Sequence, residues 1–398
     1  MKPDDSIQTL NNRAMTLPSG DVLRILENRI KEKGEELSER AHRYGEGRIR
    51  ITSYMENLGY PGLFGYDMNR TFTDPAFALE TELRQRLFWL DNSIDDSLPD
   101  LRIGASTGAY YDMTLFGLAI THTPDGVPCF APHPLGEEPD LSLIKPFEFY
   151  STGVMPDLIE QYDGMRKVAA EVYEGKLDIG FPSFVRGPLD IGMTLRGYDN
   201  FVIDAVDRPE FVRELLSFIV DQRRRYNQER RVFLGEEMPN RPATAIADDW
   251  INVPFISPEL FEEFILPSYR KIQSGEGEVT GFHTCGRLEP LVLQLLEAFP
   301  GIRNLDVAGW NDLEVINRQV DLSIDFSLSI VNTFVLAGSD EEHMRLLKKI
   351  AAVAERRNVS VSVQAIVKLL PTYDETLQRM NRFIAKSREF FADSVSKN

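Results

Sequence analysis

Glu278-Val-Thr-Gly-Phe-His-Thr-Cys285 is a short apolar run that ends in an imidazole and a thiol. On a β-strand, residues i and i+2 face the same way. His283 and Cys285 would therefore project side by side from one strand end. They are two of the three side chains that zinc favours most. Gly286-Arg287 follows, and then a helical stretch, so the pair closes the strand of a β/α unit. In a parallel barrel that end carries the chemistry. The chain has two cysteines and five histidines, so their adjacency is not a by-product of abundance. A core histidine beside a buried free thiol is the plain alternative, and position at a strand end favours a site.

Outward from this run the same texture repeats. Short apolar runs occur at Leu101–Ser106, Leu177–Val185, Ala243–Asp248, Val279–Cys285, Ile302–Val307, Leu322–Phe326, Thr333–Leu336 and Val359–Ile366, with helical stretches between them. Eight strands alternating with helices predict an α/β protein of the (β/α)8 TIM-barrel type. Residues 1–95 read as an N-terminal helical extension packed on the barrel, carrying Leu23, Leu26, Ile30 and Leu37 among charges. Residues 96–398 read as the barrel domain. Within it, residues 121–157 hold seven prolines and read as an inserted excursion near the barrel mouth. Helix starts are marked by Ser257-Pro258, by Asp207-Arg-Pro-Glu, and by two capping boxes, Ser339 to Glu342 and Thr372 to Glu375.

Composition narrows the function. The 398 residues carry a formal charge of −18, with 42% hydrophobic and 27% charged residues. That balance argues against nucleic acid and anionic membrane surfaces, which reward Lys/Arg patches. No apolar run is long enough to span a bilayer. The start Met-Lys-Pro-Asp-Asp-Ser lacks the apolar core of a secretory signal. Cys129 and Cys285 do not make a disulfide framework, and the reducing cytoplasm is the expected compartment. A phosphate-cradling Gly-x-x-x-x-Gly-Lys-Ser/Thr, a dinucleotide Gly-x-Gly-x-x-Gly and a Gly-x-Ser-x-Gly elbow are all missing.

Several acids close the runs near His283 and Cys285 in the same way. Asp248 and Asp249 follow Ala-Thr-Ala-Ile-Ala, Asp306 follows Ile-Arg-Asn-Leu, and Asp325 follows Leu-Ser-Ile. Each could be a helix cap or an arginine partner. Carboxylates converging on one rim with His-x-Cys is what a mixed N/S/O metal site, or an acid/base site, requires. Arg186, after the run Leu177–Val185, could hold a carboxylate or phosphate, or make a salt bridge between loops. Tyr110, Tyr111, Phe130, His133, Phe147, Phe149 and Tyr150 form an aromatic-rich region, either core or a wall for a flat ligand.

Three segments carry a resemblance. They are Arg186-Gly-Pro-Leu with Leu195-Arg-Gly-Tyr and Asp207-Arg-Pro-Glu-Phe-Val; Ala247-Asp-Asp-Trp leading to Ile256-Ser-Pro-Glu-Leu-Phe-Glu-Glu-Phe-Ile-Leu-Pro; and Phe282-His-Thr-Cys-Gly-Arg followed by Asn304-Leu-Asp-Val. In order and spacing they resemble the uroporphyrinogen decarboxylase superfamily, over residues 100–390 or so. The resemblance implies a distorted (β/α)8 barrel with N-terminal helices. The decarboxylases use an N-terminal Arg-Gln-Ala-Gly-Arg-Tyr segment, and none is present. The zinc methyltransferase branch uses His-x-Cys plus a later cysteine, and passes methyl groups to or from a corrinoid.

That branch implies His283 and Cys285 as ligands of Zn2+, with cobalamin carried by a separate corrinoid protein. The later cysteine would fall near Val361-Ser-Val-Gln-Ala-Ile366, where none stands; Gln364 is the nearest residue with ligand-capable atoms, and Asp248, Asp249, Asp306 or Asp325 are further candidates for a third ligand or a general acid. Replacing one thiolate by carboxylate, amide or water leaves a harder zinc and a stronger Lewis acid. That suits polarising an ether oxygen, and so an O-demethylating methyltransferase acting on a small methylated substrate. The other readings are a metal-independent decarboxylase, with Arg186 and Arg102 binding carboxylate and Asp248 as acid, and a non-catalytic binding barrel. Barrels of this family often dimerise, so the resemblance allows a homodimer, while the sequence itself does not fix the oligomeric state.

Overall fold

The computed structural model describes residues 11–44, 49–55, 59–108, 110–308, 311–365 and 372–395. Ten strands are present among them: β1 Ile49–Met55, β2 Arg102–Gly104, β3 Ile120–His122, β4 Pro128–Phe130, β5 Asp178–Gly180, β6 Ala243–Ala247, β7 Glu278–His283, β8 Asn304–Ala308, β9 Asp325–Ile330 and β10 Val359–Ala365. Six of them form one parallel sheet in the order β1-β10-β9-β8-β7-β6, and β2-β5 form a second parallel pair. A single parallel bridge, Arg186 to Ala247, joins the segment after β5 to β6. The eight parallel strands thus run in TIM-barrel-like order. The hydrogen-bonded ladder does not close, because no ladder joins β1 to β2 among the described residues. In its place Asp96 accepts the Ile51 N–H, and Asp95 accepts the N–H and hydroxyl of Ser53. Two carboxylates therefore satisfy the edge of β1.

Two expectations are corrected. The segment 1–95 is not helical throughout, since Ile49–Met55 is the strand at one edge of the large sheet, paired with β10. Its buried Ile51, Ser53 and Met55 alternate with more exposed residues, a period of two that the charged sequence on either side hides. Thr333–Leu336 is not a strand but lies in the helix Asn332–Ala337. Four apolar residues are too few for periodicity to separate strand from helix. β9 also starts and ends later than the run Leu322–Phe326 suggested.

The helix caps form as the sequence indicates. Ser257 accepts the Leu260 N–H, Ser339 and Glu342 make a reciprocal box, and Thr372 accepts the Glu375 N–H. The proline-rich excursion forms the antiparallel hairpin β3-β4, and then carries Phe147 and Phe149 into the core. Each strand of the large sheet has two unlike faces. Leu305, Val307, Phe326, Leu328, Val359, Val361 and Val363 are buried in the core that the helices cover. The opposite face carries Asp306, Ser327, Ser329, Ser360, Ser362 and Gln364, all partly exposed. Conventional barrels fill that face with bulky aliphatics; here it is polar and reached by water.

Candidate metal centre

His283 reaches the polar face because of a bulge. Thr244 pairs with Val279 and Ala245 with Gly281, so Thr280 is an extra residue in β7. Val279 and Phe282, three apart, both face the core. Strict alternation from Val279 would have sent His283 to the core as well. The inserted residue flips the register, and His283 lies on the polar face.

There its Nδ1 lies 2.7 Å from Asp306 Oδ2, on the neighbouring strand β8. Ser329 of β9 donates to the other oxygen of Asp306 at 3.2 Å. A carboxylate accepting Nδ1–H fixes the tautomer in which Nε2 carries a lone pair. That nitrogen faces two more electron-rich atoms. Cys285 Sγ is 3.5 Å away, and Asp249 Oδ1 is 3.1 Å away. Ligand atoms of Asp249, His283 and Cys285 all lie within 4.8 Å of one another.

Asp249 Oδ1 decides what this cluster is for. It is buried and has no hydrogen-bond partner; its approach to His283 Nε2 has ion-pair distance without hydrogen-bond geometry. A buried oxygen without a hydrogen bond costs about 1–3 kcal/mol, a cost that attraction to the His283 imidazole offsets in part. Nitrogen, thiolate sulfur and carboxylate oxygen converging on one point are a zinc donor set. The electrostatics agree. The imidazole facing Asp249, Asp306 and Cys285 has its pKa pushed up to about 12. The same imidazole holds Asp249 below the usual carboxylate range. It also draws the Cys285 thiol down, but partial desolvation of the sulfur and the Asp249 charge outweigh it, and the thiol ends raised. The site attracts positive charge, and His283, Cys285 and Asp249 fit a divalent metal.

The remaining sequence candidates fall elsewhere. Asp248 is fully buried. It accepts the N–H groups of Leu189 and Asp190 at 3.1 and 2.8 Å and the Tyr269 hydroxyl at 2.9 Å. It therefore caps the helix Pro188–Arg196 from a neighbouring strand end. Gly187 has to be glycine beside it, since a Cβ would lie 2.1 Å from Asp248 Oδ2. Arg186 donates Nε to Asp112 at 2.8 Å and Nη1 to Asp190 at 2.6 Å, so its guanidinium is fixed in place. Asp325 was placed at a strand's C-terminal end, but it opens β9 and pairs with Asn304, two residues short of the level of Asp306. Gln364 is near the C-terminal end of β10, with β9 and β8 between it and β7. Arg102 is on β2 beside Asp178, the first residue of β5, so it is not on the rim with Arg186. Of the aromatics, Tyr110 and Phe130 stack edge to face near Arg186, while Phe147 and Phe149 are core.

Sequence reasoning missed Ser329, Asp112 and Asp190. Asp190 was within reach of it, standing four residues after Arg186. Nothing in the sequence marks Asp112 or Ser329.

The fold and the site together define a TIM-barrel-like α/β protein with a His/Cys/Asp cluster beyond the strand ends. No protein-family model matches the chain, and no curated protein does. Among solved structures, it is similar to a methyltransferase from Methanosarcina mazei, with a TM-score of 0.58 and 16% identity, over 86% of this chain and 94% of that one. The two share a fold. No helix among the described residues is long and apolar enough to cross a membrane.

Proposed function

We propose that this chain is a zinc-dependent methyltransferase that moves a methyl group between a small methylated substrate, such as a methyl ether, and a separate corrinoid protein. The observation that carries the reading is the convergence of the buried Asp249 Oδ1, which makes no hydrogen bond, on His283 Nε2 and Cys285 Sγ. The shared fold with a methyltransferase and the sequence resemblance support it. The catalytic unit is 96–398, with β1 from the N-terminal segment completing its sheet, and the compartment is cytoplasmic.

Asp249, His283 and Cys285 would hold the zinc. When bound, the ion supplies Lewis acidity toward the oxygen that the methyl group leaves. The chain's own residues do the rest. Asp306 keeps the Nδ1 proton of His283, so that Nε2 stays a donor, and Ser329 steadies Asp306. A single thiolate with one carboxylate leaves a harder site than two thiolates would, which favours oxygen over sulfur leaving groups. Asp248, which accepts the Leu189 and Asp190 N–H groups and the Tyr269 hydroxyl, ties the segment that carries Asp249 to the start of the helix Pro188–Arg196.

The test is methyl transfer from small methoxylated compounds to free or protein-bound cob(I)alamin, followed by absorbance. Activity should vanish on chelation and return with zinc. Turnover that is indifferent to chelation, or carbon dioxide release from a small acid without metal, would overturn the proposal.

A further inference from the structure

For Arg186 the sequence left open a grip on a substrate anion or a salt bridge between loops, and its surroundings point to a more particular task. Its backbone is pinned beside β6: Arg186 bridges Ala247, the Gly187 N–H donates to the Ala247 carbonyl at 2.6 Å, and the Ala247 N–H donates to Val185 at 3.0 Å. Ala247 is two residues before Asp249. The guanidinium is fixed from three sides. Asp112 and Asp190, both buried, take Nε and Nη1, and Tyr110 lies under the plane with Cζ 4.8 Å from the ring centroid. Tyr110 is held there in a left-handed conformation at φ 63°, which is rare outside glycine. Held this way, Nη1 stands 4.0 Å from Asp249 Oδ2. The other oxygen, Oδ1, is 3.1 Å from His283 Nε2. The two oxygens of Asp249 are thus divided between a fixed cation and the ligand cluster.

We propose that Arg186 is a positioning residue for Asp249. Its guanidinium lies at ion-pair distance from Oδ2 and orients Oδ1 toward His283 and Cys285, so that the carboxylate is pre-set to act as a ligand. The inference rests on the zinc reading of the site. Arg186 is to Asp249 what Asp306 is to His283: the partner of the atom that does not face the metal. Simple charge balance does not require this arrangement, because Asp112 and Asp190 alone already exceed the single charge of Arg186.

The experiment is titration of apo-protein with Zn2+ and with Co2+, whose visible bands report ligand geometry. Arg186→Gln is expected to weaken zinc binding by about 10–100-fold and to shift the cobalt bands, with Arg186→Lys in between. Arg186→Gln leaves two buried carboxylates without their cation, so the variant Arg186→Gln with Asp112→Asn and Asp190→Asn is measured as well. It removes the charge imbalance and should show the same weakening and the same band shift. Wild-type zinc affinity and an unchanged cobalt spectrum in either folded variant would overturn the inference and leave the metal site standing. A wild-type protein that binds neither ion would sink the site reading itself, and this inference with it.

Discussion

Replacing Asp306 tests whether His283 is held ready for a metal. The Nδ1 to Oδ2 separation is 2.7 Å, with Ser329 bonded to the second oxygen. A hydrogen bond to a charged group contributes about 1.5–3 kcal/mol. Asp306 is only partly buried, so solvent screening places it in the lower half of that range. At ~1.4 kcal/mol per decade, zinc affinity should fall about 10-fold or somewhat more in Asp306→Ala. Asp306→Asn can still present a carbonyl to Nδ1–H and should lose less. Ser329→Ala, one bond further out, should lose about 2–3-fold, matching a neutral donor's smaller contribution of about 0.5 kcal/mol. The assay is competition against a chromophoric zinc chelator, with circular dichroism as the fold control. If Asp306→Ala folds normally and binds zinc as the wild type does, the tautomer argument is wrong.

Further outcomes follow from where each residue sits. Cys285 is exposed, so Cys285→Ala should change stability by no more than about 0.5 kcal/mol while metal is lost. Denaturation and metal analysis on one sample check both. Asp248→Ala strands two backbone N–H groups and the Tyr269 hydroxyl in a buried position, and should destabilise by about 3–5 kcal/mol in chemical denaturation. Asp248→Asn should keep activity per folded molecule; full stability with abolished activity would restore Asp248 as a catalytic acid. Gly187→Ala drives a Cβ into that carboxylate and should destabilise strongly too, read by the same denaturation. Asp325→Ala should leave metal stoichiometry unchanged, since Asp325 is outside the Asp249, His283 and Cys285 cluster.

The parallel β/α rhythm and the His-Thr-Cys strand end were legible because strands buried on one face read as short apolar runs before capped helices. What failed was local. β1 hides among charges, and Thr333–Leu336 is too short to show a period. The site was legible only in part. His283, Cys285 and Asp249 sit where strand ends were expected, and they do converge. The bulge at Thr280 that turns His283 inward has no sequence signature beyond a nearby glycine. Asp325 was misplaced because the run ending there is a turn and strand entry, not a strand end. Asp248 and Asp249 are adjacent acids with opposite fates: one faces the helix N-terminus, the other the cluster. A sequence cannot divide such a pair, because the division depends on which neighbouring strand supplies the donors.

The central claim is that Asp249, His283 and Cys285 bind one metal ion. Its most direct test is elemental analysis of the purified chain after zinc loading and desalting. The account predicts one zinc per chain, with little or none in Cys285→Ala or Asp249→Ala of intact fold. A wild-type chain that comes through metal-free, or variants that retain the full equivalent, would contradict it.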